Sequence, residues 1–292
     1  MDTYENDNKR MRRYKMSNLK VGLQLYSLRG KMEQDMDGTL KAVKEMGYDY
    51  VEFAGYFGKS AEEVKAILDK YDLKCISVHQ RYDAFLNDPV ASVEFIKKLG
   101  VKYSAIPWMG PENHKGQDNF ENAMEEIRTV SKLLKDNDIK LLYHNHEFEF
   151  ETYEGKFLMD WLYDTLGTDV LEPEIDTCWV RYAGYDPCEY LRKYTGKINI
   201  VHLKDFVCKS FAGGPVYALI DGEGNQGKKA TREDNGFRFK HIGAGMQDFA
   251  SIIKASEDAG AEYVIVEQDE WYDDDSLELA RRSREYLRGL GL

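Results

Sequence analysis

The chain has 292 residues, of which 42% are hydrophobic, and it carries a formal net charge of -12. This length suits one large α/β barrel, although length alone would equally permit two domains. The acidic balance argues against a nucleic-acid partner, because phosphate binding requires clustered Lys and Arg. No apolar stretch approaches the roughly 20 residues that a membrane-spanning helix needs, so we expect no membrane partner.

The N-terminus indicates where the folded domain begins, and the cysteines indicate the cellular compartment. Residues 1–18 are polar and charged and lack the apolar core of a secretory signal. We therefore expect a flexible N-terminal extension or an unprocessed leader fragment, followed by a single domain over residues 19–292. Cysteines stand at four positions without a CxxC pair, which predicts reduced thiols and a cytoplasmic setting: Cys75, Cys178, Cys188 and Cys208.

Eight short apolar runs typical of buried strands recur along the chain, and segments with helical periodicity lie between most of them. The runs are KVGLQLYS, DYVEFAG, KCISVHQ, KYSAIPWM, KLLYHNH, LEPEID, INIVHLKD and YVIVEQD. Gly47, Gly100 and Gly260 each follow a predicted helix, at the position where glycine accommodates the left-handed conformation. Such an alternation fits a closed (β/α)8 barrel or an open doubly wound sheet, and eight units favour the closed barrel.

The alternation breaks once, in a long loop rich in glycine and charge at about residues 206–242. Loops of that length in a compact domain are usually functional or mobile. This loop would lie on the carboxyl rim of the barrel, either as a cover for a substrate or as a solvated insertion at a subunit contact. The sequence therefore leaves open whether the protein forms a homo-oligomer.

Four side chains with metal-binding chemistry lie at or just past the ends of predicted strands, namely Glu149, Asp176, His202 and Glu267. If the strands are parallel neighbours in a barrel, their carboxyl ends share one rim and the four side chains converge. Such a set suits one divalent ion, Mn²⁺, Mg²⁺, Co²⁺ or Zn²⁺, with positions left open for substrate oxygens. A single carboxylate is usually only solvated, so the prediction depends on the placement of all four side chains together. Glu147 is an alternative to Glu149 as the metal ligand.

The HNH triplet and the residues after His202 add polar groups to the same rim. His144 and His146 share one face of an extended chain, as metal ligands, donors to substrate hydroxyls or core histidines. Lys204 shares the inward face with His202, where it would bind a substrate oxygen or act as an acid or base. The alternative for Lys204 is a surface lysine paired with Asp205.

Further candidates for substrate binding stand at the other strand ends. Their aromatic members could pack against the apolar faces of sugar rings, although aromatic residues at strand ends also serve plain packing. These candidates are Gln24, Tyr26, Glu52, His79 and Trp108.

Five ordered motifs, HNHEFEF, EIDTCW with AGYDP, VHLKD, GAGMQDF and VEQDE, resemble the sugar phosphate isomerase/epimerase family of xylose isomerase-like barrels. The resemblance spans roughly Leu19 to the C-terminus. It implies a TIM barrel, one catalytic divalent metal at the carboxyl rim and proton abstraction next to a carbonyl. By the same resemblance Glu149, Asp176, His202 and Glu267 are similar to the family's metal ligands, and the first and last flank the reacting carbon as proton carriers.

The chain departs from the ketose 3-epimerase branch of that family at two positions. Trp179 stands where that branch has a histidine for substrate, and Cys208 stands where it has an arginine. The AG after the Asp motif and the HLKD motif look closer to inosose dehydratases, although the HNHxxEF form differs from theirs. The apurinic endonucleases of the same superfamily hold three zinc ions and bind DNA, which six histidines and an acidic surface do not support.

Three functional hypotheses follow from these residues. The first is a divalent-metal-dependent isomerase or epimerase of a small sugar or polyol, in which Glu149 and Glu267 transfer the proton. The second is a dehydratase or lyase of the same barrel, acting on a keto-sugar or keto-inositol. The third is a barrel that binds sugar without catalysis.

Overall fold

The computed structural model describes residues 17–212 and 231–292. Eight parallel strands form a closed barrel, in which each strand pairs with the next barrel strand and the last pairs with the first. They are β1 (Lys20–Gln24), β2 (Tyr50–Phe53), β3 (Lys74–His79), β4 (Tyr103–Ile106), β5 (Lys140–His144), β8 (Glu172–Asp176), β9 (Ile200–Leu203) and β12 (Tyr263–Val266). Each matches one of the eight apolar runs, so the predicted barrel is confirmed.

Four further strands form two small antiparallel pairs outside the barrel. One pair is β6 (Thr152–Tyr153) with β7 (Lys156–Phe157), and the other is β10 (Asp205–Val207) with β11 (Arg238–Lys240). The predicted loop at 206–242 therefore begins and ends in paired strands, with Phe206 opposite Phe239. The predicted extension, except for its last two residues, and residues 213–230 of the loop lie outside the described residues.

Helices surround the barrel, and their boundaries follow from capping chemistry. They are α1 (Arg29–Gln34), α2 (Met36–Met46), α3 (Ala61–Lys70), α4 (Tyr82–Asn87), α5 (Pro89–Lys98), α6 (Phe120–Lys135), α7 (Leu158–Leu166), α8 (Thr177–Tyr182), α9 (Pro187–Lys193), α10 (Phe249–Ala259) and α11 (Ser276–Gly289). Ser60 and Glu63 form a reciprocal capping box at the start of α3. Gly47 and Gly260 end α2 and α10 with φ of 89° and 91°, as predicted. Within the described residues, no helix is long and apolar enough to cross a membrane.

The barrel interior changes from apolar to polar along the strands. A buried cluster that includes Leu142, Ile200 and Ile265 fills the inside of the barrel. The residues two positions further on are His144, His202 and Glu267, and the strand period of two places each on the same inward face. The fold thereby brings polar side chains to the carboxyl rim, above an apolar plug. The four cysteines are free, and Cys208 is the least buried of them.

Candidate metal centre and its cavity

The carboxyl rim brings His144, Asp176, His202 and Glu267 into one buried group, in which one potential ligand atom of each lies within 4.8 Å of the others. His202 Nδ1 lies 3.0 Å from Glu267 Oε2. His144 Nε2 lies 3.5 Å from Asp176 Oδ2 and 3.9 Å from Glu267 Oε2. Three of the four predicted ligands are thus together, and His144 completes the group.

The chemistry of this group fits a divalent cation. Two imidazoles and two carboxylates are a common ligand set for catalytic Zn²⁺, Mn²⁺ or Co²⁺. Asp176 Oδ2 is buried and lies 3.5 Å from His144 Nε2 and 3.0 Å from Lys204 Nζ, so it faces the same space as the other three side chains. Against the effect of burial, the carboxylates of Glu52 and Glu174 raise the pKa of His202 well above its usual value, so a divalent ion bound there would displace a proton from it. Burial holds the pKa of His144 well below its usual value. A neutral imidazole of this kind is the form that binds a metal.

The structure does not bring Glu149 to this group. Its carboxylate accepts a hydrogen bond from Tyr143 Oη at 2.6 Å and another from the backbone N–H of His146 at 2.7 Å. The chain turns into a short 3-10 segment, Phe148–Phe150, after β5, so the period of the strand no longer sets the direction of Glu149. Glu147, the competing candidate, instead pairs with Arg232.

A second set of charged side chains lies directly beneath the metal-binding group, inside the barrel. Glu174 Oε2 lies 2.7 Å from His79 Nε2 and 3.2 Å from His144 Nδ1. Glu52 Oε2 lies 2.8 Å from His202 Nε2 and 3.2 Å from His79 Nε2. Gln24 donates a hydrogen bond to the same oxygen of Glu52 at 2.8 Å.

The charges of this inner set balance one another. Burial and the charge of Glu52 raise the pKa of Glu174 to about 7. Burial acts in the same direction on Glu52, but the positive charges of His79 and His202 hold its pKa well below the usual value. The carboxylates of Glu52 and Glu174 in turn raise the pKa of His79 to about 10, against the effect of burial. Gln24 and Glu52, predicted to bind substrate, lie in this inner set and not in the wall of the cavity described next.

Lys204 is buried among three carboxylates at the edge of the metal-binding group. Its Nζ lies 3.0 Å from Asp176 Oδ2, 2.9 Å from Glu267 Oε2 and 3.1 Å from Asp269 Oδ1. Although burial acts in the opposite direction, these carboxylates raise the pKa of Lys204 well above its usual value. Burial raises the pKa of Asp269 to about 6. The alternative in which Lys204 is a surface lysine paired with Asp205 does not match this geometry.

A cavity of about 640 Å³ opens above the metal-binding group. Such a volume is within the usual range for small-molecule sites. The exposed aromatic residues Tyr26 and Trp108 stand at its wall. The predicted candidates that line it are Tyr26, His79, Trp108, His144, His146, Lys204 and Glu267.

One wall of the cavity carries Arg232, which no motif in the sequence indicates. Arg232 Nε and Nη2 each donate a hydrogen bond of 2.8 Å to Glu147. The Arg232 guanidinium also lies 4.1 Å from the centre of the Trp179 ring, which is buried against Phe237. Trp179 therefore packs within the wall, and the face of its ring contacts the Arg232 guanidinium. No periodicity marks Arg232, because it follows the segment without regular sequence.

The GAGMQDF motif holds a carboxylate of the chain itself. The backbone N–H groups of Gly243 and Gly245 donate to Asp205 Oδ2 at 3.0 and 2.8 Å. Those of Phe206 and Gln247 donate to Oδ1 at 2.9 and 3.3 Å. Asp205 thus fixes the loop that follows β11. The glycine N–H groups are already used and are not free for a substrate phosphate.

Glu174 and Asp269 also belong to the site, and the sequence contains a clue to both. Glu174 stands two residues before Asp176 on β8, so it shares the inward face one step deeper. Asp269 stands two residues after Glu267 and meets Lys204 in the same way. The period of two, applied in both directions from each rim residue, would have placed them.

Comparison with protein families agrees with the fold. The family model described as xylose isomerase-like TIM barrel matches residues 40–290. An inosose dehydratase from Geobacillus kaustophilus is 26% identical over 192 residues, which cover 58% of this chain and 61% of that protein. An inosose dehydratase from Clostridium perfringens is 24% identical over 292 aligned residues, which cover 88% of this chain and 90% of that protein. The match to the Geobacillus protein thus spans about three fifths of its length, and so does the match to an inosose dehydratase from Clostridium botulinum, of which 62% is covered at 22% identity.

Solved structures share the same architecture. A sugar phosphate isomerase/epimerase from Parabacteroides distasonis superimposes with a TM-score of 0.72 at 21% identity, covering 94% of both chains. An IolI protein with a bound zinc atom superimposes with a TM-score of 0.68 at 16% identity, covering 94% of this chain and 98% of that one. At these identities the likeness shows a common fold.

Proposed function

The chain belongs to the family of xylose isomerase-like TIM barrels, and from that premise we propose that it is a divalent-metal-dependent lyase acting on a keto-sugar or keto-polyol. In this reaction the enzyme removes the proton next to the carbonyl and eliminates the hydroxyl of the following carbon as water. The observation that carries the proposal is the pair of Lys204 and Glu267, whose Nζ and Oε2 lie 2.9 Å apart in the wall of the cavity.

The residues that would hold the metal are His144, Asp176, His202 and Glu267. A divalent ion bound there would polarise the carbonyl oxygen of the substrate and stabilise the negative charge that develops on it. The convergence of one potential ligand atom from each of these buried side chains within 4.8 Å supports this assignment. This set replaces Glu149, which the sequence analysis placed first among the ligands, by His144.

The proton is removed by a carboxylate that stays ionised. Burial acts against the charge of Glu267, but Lys204 and His202 hold its pKa well below the usual value. Its place in the cavity wall makes Glu267 the carboxylate that can accept the proton on the carbon next to the carbonyl. When this C–H bond breaks, its electrons first pass toward the carbonyl to give an enolate. They form the new double bond in the second step, in which the C–O bond of the neighbouring hydroxyl breaks.

The leaving oxygen receives its proton from the ammonium group of Lys204. Water then departs, Lys204 is neutral and Glu267 is protonated. The proton can return from Glu267 to Lys204 across their contact of 2.9 Å, which restores both groups without a change in the total number of protons. Asp269, with its pKa raised to about 6 by burial, contacts Lys204 and can exchange protons near neutral pH.

The arrangement favours elimination over epimerisation because the proton-transfer groups found together form one acid–base pair. Epimerisation by two carboxylates requires a second carboxylate across the reacting carbon, and the predicted residue for that place was Glu149. Its oxygens are instead engaged with Tyr143 and the backbone of His146. The relatives named inosose dehydratase support the same choice.

The cavity suits a polyhydroxylated substrate. Tyr26 and Trp108 offer aromatic faces to the apolar side of a sugar or cyclitol ring. Lys204 and Arg232 supply donors for its oxygens. The cavity wall therefore combines an apolar surface with a few polar groups, as sites for small molecules usually do.

The test is incubation of the metal-loaded enzyme with keto-inositols and keto-hexoses in deuterated water, followed by proton NMR and mass spectrometry. We expect a product lighter by one water. In Lys204→Met the exchange of the substrate C–H should persist, while loss of water should fall by at least about 100-fold, the usual contribution of a general acid. Lys97→Met, at an exposed site on α5, is the matched control and should leave both rates unchanged.

Two outcomes would contradict the proposed lyase activity. An epimer or isomer without loss of water would identify the second candidate, and His146 favours that one. It lies in the cavity wall, and its buried Nδ1 has no hydrogen-bond partner among the described residues, so the ring is in position to exchange the second proton with the substrate. Neither exchange nor product with any keto substrate, in a chain that binds no divalent ion, would indicate a barrel that binds sugar without catalysis.

A further inference from the structure

The two histidines of the metal-binding group each present both ring nitrogens to acidic partners. His144 directs Nε2 toward Asp176 and Glu267 and Nδ1 toward Glu174. His202 directs Nδ1 toward Glu267 and lies with Nε2 only 2.8 Å from Glu52. One nitrogen of each ring therefore faces the rim, and the other faces a carboxylate inside the barrel.

We propose that Glu52 and Glu174 are positioning residues for the metal centre, which fix His202 and His144 in opposite tautomers. A nitrogen that binds a metal must be free of its proton, so the other nitrogen of a neutral ring carries it. With Glu52 as partner the proton of His202 stays on Nε2, and with Glu174 as partner that of His144 stays on Nδ1. Carboxylates that hold metal-binding histidines in this way raise their basicity and orient their rings.

His79 links the two carboxylates and allows both to remain buried. Its Nε2 lies 2.7 Å from Glu174 Oε2 and 3.2 Å from Glu52 Oε2. Two buried carboxylates this close repel each other unless a cation lies between them. His79 is therefore the counter-charge of the inner set, and its predicted role in substrate binding is secondary to this one.

The same side chains could be taken as a second ion site, because His79, His144, Glu174 and His202 also have potential ligand atoms within 4.8 Å of one another. Two ions would have to share His144 and His202, each ring losing both of its protons. The Oε2 atoms of both inner carboxylates already have partners, since Gln24 donates to Glu52 and His79 contacts Glu174. One ion at the rim leaves the inner nitrogen of each ring facing a carboxylate, at 3.2 Å for His144 and 2.8 Å for His202.

This inference rests on the metal centre of the proposed function, and binding of the ion itself tests it. Mn²⁺, Co²⁺ and Zn²⁺ are titrated into the metal-free wild type and into Glu52→Gln and Glu174→Gln. We expect one ion per wild-type chain and affinities lower by about 10-fold to 100-fold in each variant, the usual effect of an outer hydrogen-bond partner. The absorption spectrum of the Co²⁺ form should shift, because the imidazole ligands change basicity.

Glu149→Gln is the matched control, since it replaces another buried carboxylate that contacts neither ring of the metal-binding group. Its affinity for Mn²⁺ should equal that of the wild type. Variant affinities within about twofold of the wild type would overturn the proposal. So would two ions per wild-type chain that fall to one in Glu52→Gln or Glu174→Gln, because the inner set would then be an ion site itself.

A measurement on the wild type covers the case in which a variant does not fold. In the Zn²⁺-loaded chain with ¹⁵N-labelled histidine, long-range ¹H–¹⁵N correlation reports which nitrogen of each ring carries the proton. We expect Nε2 for His202 and Nδ1 for His144, and the opposite tautomers would overturn the proposal. If the tautomers are as expected and the variants bind the metal more weakly, but the wild type converts no keto substrate, the proposed lyase activity would be wrong. The inference about Glu52 and Glu174 would still hold.

Discussion

Tyr143 Oη donates a hydrogen bond of 2.6 Å to Glu149 Oε1, beside the barrel rim and away from the metal-binding group. The carboxyl group is almost fully buried, and the backbone N–H of His146 donates to its other oxygen. Burial raises the pKa of Glu149 to about 8, because the charged form loses its hydration there. These two hydrogen bonds to the charged form only partly oppose that effect.

Glu149 should make the protein less stable as the pH rises. An unfolded glutamate releases its proton near pH 4.3, to within about a unit, whereas the folded chain keeps it up to about pH 8. Between these values the folded state binds the extra proton, so the free energy of unfolding falls with increasing pH. Glu149→Gln has no proton to lose, and it should remove up to a few kcal/mol of this dependence. Urea unfolding of both proteins at several pH values measures it, and equal slopes would contradict the assignment.

The metal-binding group gives a second prediction, which separates His144 from Glu149 as the first ligand. His144→Ala should lower the affinity for Mn²⁺ or Zn²⁺ by more than about 100-fold, because even an outer hydrogen-bond partner contributes about 10-fold to 100-fold. Treatment of the wild type with a chelator should abolish turnover, and added Mn²⁺ should restore it. Calorimetric titration of the metal-free protein provides the affinities. Strong binding by His144→Ala together with weak binding by Glu149→Gln would reverse the assignment.

The barrel and most of its rim could be predicted from the sequence, because short parallel strands leave a clear alternation. Asp176, His202 and Glu267 stand at or next to strand ends, where the period of two fixes their direction. Glu149 stands five residues past the end of β5, after the chain has left the strand. Distance along the sequence gives no direction there, so placement just past a predicted strand end did not establish that Glu149 faces the metal-binding group.

Contacts that depend on chain segments far apart could not be predicted in the same way. Arg232 reaches the cavity from beyond the loop that starts at β10, and its partner Glu147 follows β5. Neither residue lies in a periodic element, so no pattern relates them. Lys204 is a different case, because its inward direction followed from His202, but its three carboxylate neighbours required the closed barrel.

Arg232 should contribute to substrate binding more than to the chemical step. The guanidinium group of Arg232 donates to both carboxylate oxygens of Glu147 and lies over the ring of Trp179. A lysine cannot make both contacts. Arg232→Lys should therefore raise KM by about 10-fold, which corresponds to about 1.4 kcal/mol of lost binding energy, and leave kcat nearly unchanged. Steady-state kinetics with the substrate identified by NMR measure this split.

Arg81→Lys is the control for that experiment. Arg81 also lines the cavity, but its side chain is 79% exposed and pairs with its neighbour Asp83. Exposed ion pairs contribute little, so KM should stay within about twofold of the wild type. A fall in kcat of Arg232→Lys at constant KM would place Arg232 in the chemical step instead.

Asp205 should be among the most sensitive positions for stability, although it lies next to Lys204 in the VHLKD motif. It is fully buried, and four backbone N–H groups donate to its carboxylate, two of them from Gly243 and Gly245. Asp205→Ala leaves these donors without an acceptor, and a single hydrogen bond to a charged group is worth about 1.5 to 3 kcal/mol. We therefore expect a loss of at least about 3 kcal/mol in the free energy of unfolding, measured by urea denaturation. Asp248→Ala, which removes only the exposed cap of α10, should cost about 1 kcal/mol. Equal losses in the two variants would show that the loop of residues 243–247 does not depend on Asp205.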